Sequence, residues 1–136
     1  MCRSGLCHNI FAFGFVPNTS GFRSRRELEQ HHADHQAEFG MITVIEYAAL
    51  ADAFWSDPKP SHVHEYQRKQ GDVMRYDPMT ESLGVVDSKS VIRTFFKPIP
   101  CASISDALRR AAMKLAGKCH DFPTNLDYFR ARCLKW

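Results

Sequence analysis

The chain has 136 residues, of which 44% are hydrophobic and 24% charged, a balance typical of one globular domain rather than of a disordered or collagen-like chain. Its formal net charge is +3, and no apolar run is long enough to span a bilayer, so we expect no membrane segment. The basic excess lies in residues 101–136, where seven basic residues stand against three acidic ones, which indicates a phosphate-bearing partner.

Residues 1–22 show no hydrophobic period, which predicts a poorly ordered lead-in before a single domain at residues 23–136. The apolar stretch at residues 10–16 is short for a signal peptide and lacks a small-residue cleavage site, so we expect action in the cytoplasm. An odd number of cysteines without a CxxC pair favours reduced thiols over a disulfide framework or a zinc site. They are Cys2, Cys7, Cys101, Cys119 and Cys133.

Two helix starts lie close together in the N-terminal half. Residues 24–27 have the spacing of a capping box, which predicts a helix through Phe39 that closes at Gly40. Residues 43–46 form a second box and predict another helix, which the two prolines within residues 57–60 terminate. The pattern therefore favours a packed helix pair.

Short β-prone segments follow, at residues 62–67, 72–76, 83–87 and 91–98. Because the gaps between them are short and rich in turn-forming residues, we expect a four-stranded antiparallel meander. Helical period returns at residues 103–116, and a last helix is expected at residues 125–133 behind Thr124 as its N-cap. The predicted fold class is α+β, with two N-terminal helices, the four-stranded antiparallel β-meander and C-terminal helices.

His31 and His35 are one helical turn apart and so share a face of the first predicted helix. Three interpretations remain open. The spacing suits a zinc ion, but no third ligand and no HExxH motif accompany it. Either histidine can instead be a hydrogen-bonded structural residue. The third interpretation is acid–base catalysis by His35, because imidazole titrates near neutral pH and His35 lies in the last turn before Gly40.

The last predicted strand combines two cations, a hydroxyl and aromatic rings. Strict alternation assigns two sets of side chains to opposite faces, with Arg93, Phe95 and Lys97 on one and Ile92, Thr94 and Phe96 on the other. A stacking ring, phosphate-binding cations and a hydrogen-bond donor are what an RNA site requires. Arg75 joins these cations if its strand pairs nearby. The alternative is a core strand with solvated cations.

Several catalytic motifs are absent from the sequence: a glycine-rich phosphate loop, a GxSxG nucleophile motif and a carboxylate cluster for a metal ion. The chemistry that remains is metal-independent and uses histidine, a hydroxyl and cations.

The order of motifs along the chain is also informative. The motifs are Leu28-x-x-His31-x-x-x-His35-x-x-Glu38-Phe39-Gly40, Tyr47-x-x-Leu50-Ala51, Gly71-Asp-Val-Met-Arg-Tyr-Asp-Pro78, Leu83-Gly-Val-Val-Asp87, Ile92-Arg-Thr-Phe-Phe-Lys-Pro98 and His120-x-x-Pro-Thr-Asn-Leu-Asp-Tyr-Phe129. This set, with one gap, resembles the toxin domains related to colicin D that occur in bacterial polymorphic and contact-dependent inhibition systems. These domains belong with the barnase/EndoU/colicin/RelE-like ribonucleases.

The resemblance implies a small α+β ribonuclease that cleaves tRNA without a metal ion or other cofactor and is bound by an acidic immunity protein. The catalytic histidine of the family falls on His35. Its hydroxyl and aromatic residues fall on Thr94 and Phe96, and its basic residue falls on Lys97. In this chemistry a base deprotonates the ribose 2′-OH, which attacks the adjacent phosphate, so DNA is inert. The residues expected to bind RNA are Arg75, Arg93, Phe96 and His31.

One position departs from the family pattern. The family commonly has lysine immediately before its histidine, where this chain has Asp34, so a charge that attracts phosphate is replaced by one that repels it. The main alternative is therefore a catalytically decayed toxin fragment or a nucleic-acid-binding module with the same fold. A metal-dependent hydrolase using His31 and His35 is another. A role as an acidic immunity protein is disfavoured by the basic net charge.

Overall fold

A computed structural model describes residues 17–134 of the chain. The α-helices are α1 Arg25–His35, α2 Val44–Ala53, α3 Ala107–Leu115 and α4 Asn125–Cys133. The strands are β1 His64–Gln67, β2 Val73–Asp77, β3 Ser82–Val86 and β4 Ile92–Phe96, and 3₁₀ turns occupy Gln36–Phe39 and Cys101–Ser103. The sheet is antiparallel with the order β1-β2-β3-β4. The predicted α+β fold and its meander are confirmed.

The helix starts follow their capping residues. Thr43 and Glu46 form both hydrogen bonds of a capping box at the start of α2. Ser24 accepts the backbone N–H of Glu27 at the start of α1. The α-helix ends at His35 rather than at Phe39, and the chain continues as the 3₁₀ turn until Gly40, whose φ of 85° closes it.

Both faces of the sheet are covered. On one face α1 and α2 enclose a core cluster of Tyr47, Ala51, Trp55, Val86, Ile92 and Phe95. On the other, α4 encloses Met74, Tyr76, Leu83, Val85, Phe129 and Cys133. Gly84 of β3 allows the end of α2 to approach closely, since a Cβ there would lie 3.0 Å from the Phe54 ring. The sheet is thus the middle layer of the domain.

Strand β4 does not alternate strictly, because it carries a bulge at Arg93. Val85 pairs with Thr94 while Val86 pairs with Ile92, so Arg93 has no opposite residue. The extra residue moves Ile92 to the α2 face, where it packs with Phe95. The expectation that Ile92 shares a face with Thr94 and Phe96 is therefore wrong.

The chain before α1 packs against the domain from at least Asn18. The backbone N–H groups of Asn18 and Thr19 donate to the Asp52 carboxylate at 2.8 and 2.9 Å. Phe22 then forms a parallel bridge with Ile92 of β4. The part of the expected lead-in at residues 18–22 is therefore held by α2 and β4, whereas its first sixteen residues, including the apolar stretch at residues 10–16, lie outside the described residues.

Helix α3 is shorter than expected and has no buried residue. It begins at Ala107 because the Asp106 side chain accepts the backbone N–H groups of Leu108 and Arg109. The preceding 3₁₀ turn and α3 lie in the segment 101–119, and a disulfide between Cys101 and Cys119 joins the two ends of this segment.

The expectation of reduced thiols is wrong for these two cysteines. Pro100 and His120 form a parallel backbone bridge, with hydrogen bonds from Cys101 N–H to His120 O and from His120 N–H to Ile99 O. This bridge brings the Cα atoms of Cys101 and Cys119 to 5.0 Å, within the range for a disulfide. Cys133 is a free, buried thiol, and burial raises its pKa to about 11.

Among the helices of residues 17–134, none is long and apolar enough to cross a membrane.

Candidate active site

Two adjoining clefts open where the end of α1 meets the end of β4 and residues 116–120. The smaller, which we call the His35 cleft, encloses about 520 Å³ and is lined in part by His35, Glu38, Phe96, Lys97, Lys118 and Tyr128. The larger, which we call the α3 cleft, encloses about 740 Å³ and adds Arg109 and Met113 of α3. Both include Asp34, Glu38, Lys97 and Lys118, so they form one continuous depression.

His35 and Glu38 form a hydrogen-bonded pair at the wall of the His35 cleft, and Glu38 also lines the α3 cleft. The change from α-helix to 3₁₀ turn at His35 explains the contact, because residues three apart eclipse one another in a 3₁₀ turn. His35 Nδ1 lies 2.9 Å from Glu38 Oε2. A carboxylate only accepts hydrogen bonds, so Nδ1–H donates and Nε2 carries the lone pair of the neutral ring. Among the described residues, none hydrogen-bonds to Nε2.

Glu38 also connects the histidine to the end of β4. Its second oxygen, Oε1, accepts the backbone N–H of Lys97 at 2.8 Å. The Lys97 ammonium lies 5.2 Å from the centroid of the Phe39 ring, a cation–π distance. The His35 imidazole and the Glu38 carboxylate are thereby linked to the end of β4, 59 residues further along the chain.

His31 lies behind His35 rather than in either cleft. Its ring is 6.1 Å from the His35 ring and 5.3 Å from the Phe22 ring. Nδ1 is buried and has no hydrogen-bond partner among the described residues. Burial, and secondarily the neighbouring His35, lower the His31 pKa, so the ring is mainly neutral at pH 7. The His31 ring therefore packs against the rings of Phe22 and His35 and lines neither cleft.

Phe96 lines the His35 cleft, and its ring centroid lies 5.4 Å from that of His35. It also packs against the core under α4. Thr94 is half-buried opposite Val85 and lines neither cleft. The structure therefore brings Phe96 to the histidine and leaves Thr94 outside both clefts.

Arg75 is buried on the α2 face of the sheet, with only 7% of its surface exposed. Its guanidinium donates to Glu65 at 2.5 Å and to the backbone carbonyls of Phe54 and Ser56 at 3.3 and 2.9 Å, and it lies over the Trp55 ring. Strand β3 separates it from β4, so the two strands do not pair. Arg75 lines neither cleft and stabilises the end of α2.

Arg93 and Asp34 are both exposed but differ in position. Arg93 is the bulged residue of β4 and lines neither cleft. Asp34 lines both clefts and accepts a hydrogen bond from Gln30 at 3.2 Å. In the His35 cleft Asp34 and Glu38 balance the charges of Lys97 and Lys118, so its walls carry no strong positive excess.

Sequence reasoning missed three residues on the opposite wall of the His35 cleft: Lys118, His120 and Tyr128. The basic excess in residues 101–136 includes Lys118, and the motif from His120 to Phe129 contains His120 and Tyr128. Neither signal indicated proximity to His35, because residues 118–128 reach the cleft through contacts between distant segments, among them the bridge between Pro100 and His120.

A metal centre finds no support in residues 17–134, where no group of three or more His, Cys, Asp and Glu side chains could hold a metal ion. The His31 and His35 pair in particular gains no third ligand there.

No family model and no curated protein matches the sequence.

Proposed function

We propose that this chain is a toxin endoribonuclease that acts in the cytoplasm and cleaves tRNA without a metal ion. The observation that carries the proposal is the His35–Glu38 pair, whose Nε2 lone pair is available beside Lys97 and Lys118. This arrangement suits proton abstraction next to a bound phosphate. The resemblance to colicin D-related toxins supports tRNA as the RNA and an acidic immunity protein as the partner.

The proposed reaction begins when His35 Nε2 takes the proton of a ribose 2′-OH. The 2′ oxygen then bonds to the adjacent phosphorus, and the bond from phosphorus to the 5′ oxygen breaks. Lys97 and Lys118 stabilise the charge that accumulates on the phosphate oxygens. The departing 5′ oxygen takes a proton, for which the two ammonium groups and solvent are the available donors. The products are a 2′,3′-cyclic phosphate and a 5′-hydroxyl.

We expect the purified chain to cleave total tRNA equally well with and without EDTA, because no metal ion takes part in these steps. A denaturing gel follows the cleavage, and direct labelling by a 5′-kinase identifies the 5′-hydroxyl ends. A DNA strand of the same sequence is expected to stay intact, since it lacks the attacking hydroxyl. Cleavage that EDTA abolishes and zinc restores would instead support the metal-dependent hydrolase.

A second candidate function, RNA binding without cleavage, is favoured by Asp34 and by the position of Thr94 outside both clefts. The proposed site omits Thr94, Arg75 and Arg93, because none of these residues lines either cleft. Binding of tRNA without any cleavage, by a folded protein, would favour this candidate over the nuclease.

Replacing Asp34 by lysine is expected to strengthen RNA binding, because it removes a negative charge from the wall of both clefts and adds a positive one. The gain should shrink as salt rises. The plot of log Kd against log salt should steepen by about 0.7 or more, the value for one added phosphate contact on a single strand. Fluorescence anisotropy of a labelled RNA over a salt series measures both effects.

Glu29→Lys is the matched control, because Glu29 is an exposed acid of the same helix and lines neither cleft. It changes the net charge equally and should have the smaller effect. Equal effects of the two substitutions would show that RNA senses only the overall charge, and would argue against binding in the clefts.

A further inference from the structure

The lining of the His35 cleft includes two stacked rings, those of His120 and Tyr128. The ring centroids of His120 and Tyr128 lie 4.4 Å apart, and their planes differ by 9°. Both residues are half-buried and line the cleft together with Lys97 and Lys118. The cleft thus combines a stacked aromatic pair with two cations.

Hydrogen bonds at both nitrogens hold the His120 ring in one orientation. The backbone N–H of Phe122 donates to Nδ1 at 3.2 Å, so Nδ1 carries no proton. Nε2–H therefore donates to Asn125 Oδ1 at 2.7 Å. With Nδ1 accepting and Nε2 donating, the ring is uncharged and offers no nitrogen for proton transfer. His120 therefore presents a surface for stacking rather than a second base.

The hydrogen-bond network continues into the sheet. Asn125 Nδ2 donates to Glu81 Oε1 at 2.7 Å, and the Tyr76 hydroxyl of β2 donates to the same oxygen at 2.5 Å. Burial and the bond to Glu81 raise the Tyr76 pKa, so the hydroxyl remains a donor. The His120–Tyr128 ring pair is thereby anchored to α4, to β2 and to the β2–β3 turn. A ligand that stacks on it meets a surface that is already ordered.

We propose that the His120–Tyr128 ring pair binds a nucleobase of single-stranded RNA by stacking, while Lys97 and Lys118 hold the adjoining phosphate. Uncharged rings beside cations are the combination that binds single-stranded nucleic acid, because every base has a face to stack and every nucleotide a phosphate. The choice of RNA as the ligand rests on the proposed function. A neutral sugar could contact the rings but would form no ion pair with Lys97 or Lys118, so the two cations favour a ligand that carries phosphate.

The test uses Tyr128→Leu and two probes: a short 2′-O-methyl RNA, which lacks the attacking hydroxyl, and an abasic strand with the same number of phosphates. Loss of one stacked base is expected to weaken binding of the base-containing probe by about ten- to a hundredfold. Binding of the abasic probe should change little. Tyr66→Leu, at an exposed tyrosine of β1 that lines neither cleft, should affect neither probe.

Tyr128→Trp provides a direct signal and covers the case in which the leucine variant fails to fold. Its added indole should retain binding, and its fluorescence should be quenched by the base-containing probe but not by the abasic one, after subtraction of the wild-type signal. Absence of quenching upon binding would overturn the proposal. Unchanged affinity of folded Tyr128→Leu for the base-containing probe would do the same.

The subsite and the nuclease can fail separately. A chain that binds through Tyr128 but cleaves no RNA retains the subsite and refutes the nuclease. A chain that cleaves RNA while Tyr128→Leu leaves the affinity unchanged refutes only the subsite.

Discussion

Replacing His35 by glutamine is expected to lower the rate of RNA cleavage by about a hundredfold or more, the usual contribution of a positioned acid–base group. Glutamine retains a side-chain N–H that can donate to Glu38 but has no basic nitrogen. The single-turnover rate on labelled tRNA measures the loss, and expression from a tightly controlled promoter in bacteria measures its effect on growth. Glu38→Gln should cause a smaller loss, because it disturbs the orientation of the base and leaves the base itself in place.

His62→Gln is the matched control for His35→Gln. His62 also contacts a carboxylate, with Nε2 3.2 Å from Asp77 Oδ1, but it lines neither cleft. Its cleavage rate should equal that of the wild type. Equal rates and equal toxicity of folded His35→Gln and wild-type protein would contradict the proposed role of His35.

Removing the Cys101–Cys119 disulfide by substituting both residues with alanine is expected to lower the free energy of unfolding by about 3 kcal/mol. The disulfide joins residues 18 positions apart. Closing a loop of that size lowers the conformational entropy of the unfolded chain, which stabilises the folded state by about this amount. Urea denaturation followed by circular dichroism measures the change. Dithiothreitol should lower the stability of the wild type by a similar amount and leave the double variant unaffected.

The same substitution should also reduce cleavage, because Cys119 and its neighbours Lys118 and His120 line the His35 cleft. With the disulfide removed, residues 118 and 119 lose their covalent link to residue 101, and this part of the wall depends on the backbone hydrogen bonds around Pro100 and His120 and on the bond of His120 to Asn125. A midpoint of urea unfolding that dithiothreitol does not shift in the wild type would show that the two thiols are not paired in solution.

Half of the candidate site could be predicted from sequence, and the other half could not. The predicted residues His35, Phe96 and Lys97 do meet at one cleft. The prediction of His35 depended on its place at a helix end, which Gly40 marks locally, whereas that of Phe96 and Lys97 depended on the composition of the last strand and on the resemblance to the colicin D-related toxins. The orienting contact of Glu38 and the opposite wall with His120 and Tyr128 depend on how separate elements pack, and no local pattern records that.

Arg75 illustrates the limit most clearly. Its sequence neighbourhood shows a cation on a β-prone segment and cannot distinguish a phosphate-binding residue from a buried one. The strand order places it under α2, where the free carbonyls at the helix end and the Trp55 ring surround its guanidinium. Pairing between strands thus decided whether this charge faces a ligand or the core.

The sequence by itself determined the elements of this protein and their order. Capping at Ser24, Thr43 and Thr124 and the left-handed turn at Gly40 depend on hydrogen bonds and backbone sterics within a few residues. The meander follows from short connections that allow only neighbouring strands to pair. These interactions are local, so the chain sequence around each element specifies them.

Only the tertiary structure decided the bulge at Arg93, the Cys101–Cys119 bridge and the composition of the cleft. The bulge depends on how β4 pairs with β3, and the bridge on a backbone contact between residues 100 and 120. The cleft requires α1, β4 and α4 to be placed around one space. Each of these contacts joins residues far apart in the chain, and such contacts form only when the packing of the whole domain compensates the entropy of closing the intervening loop.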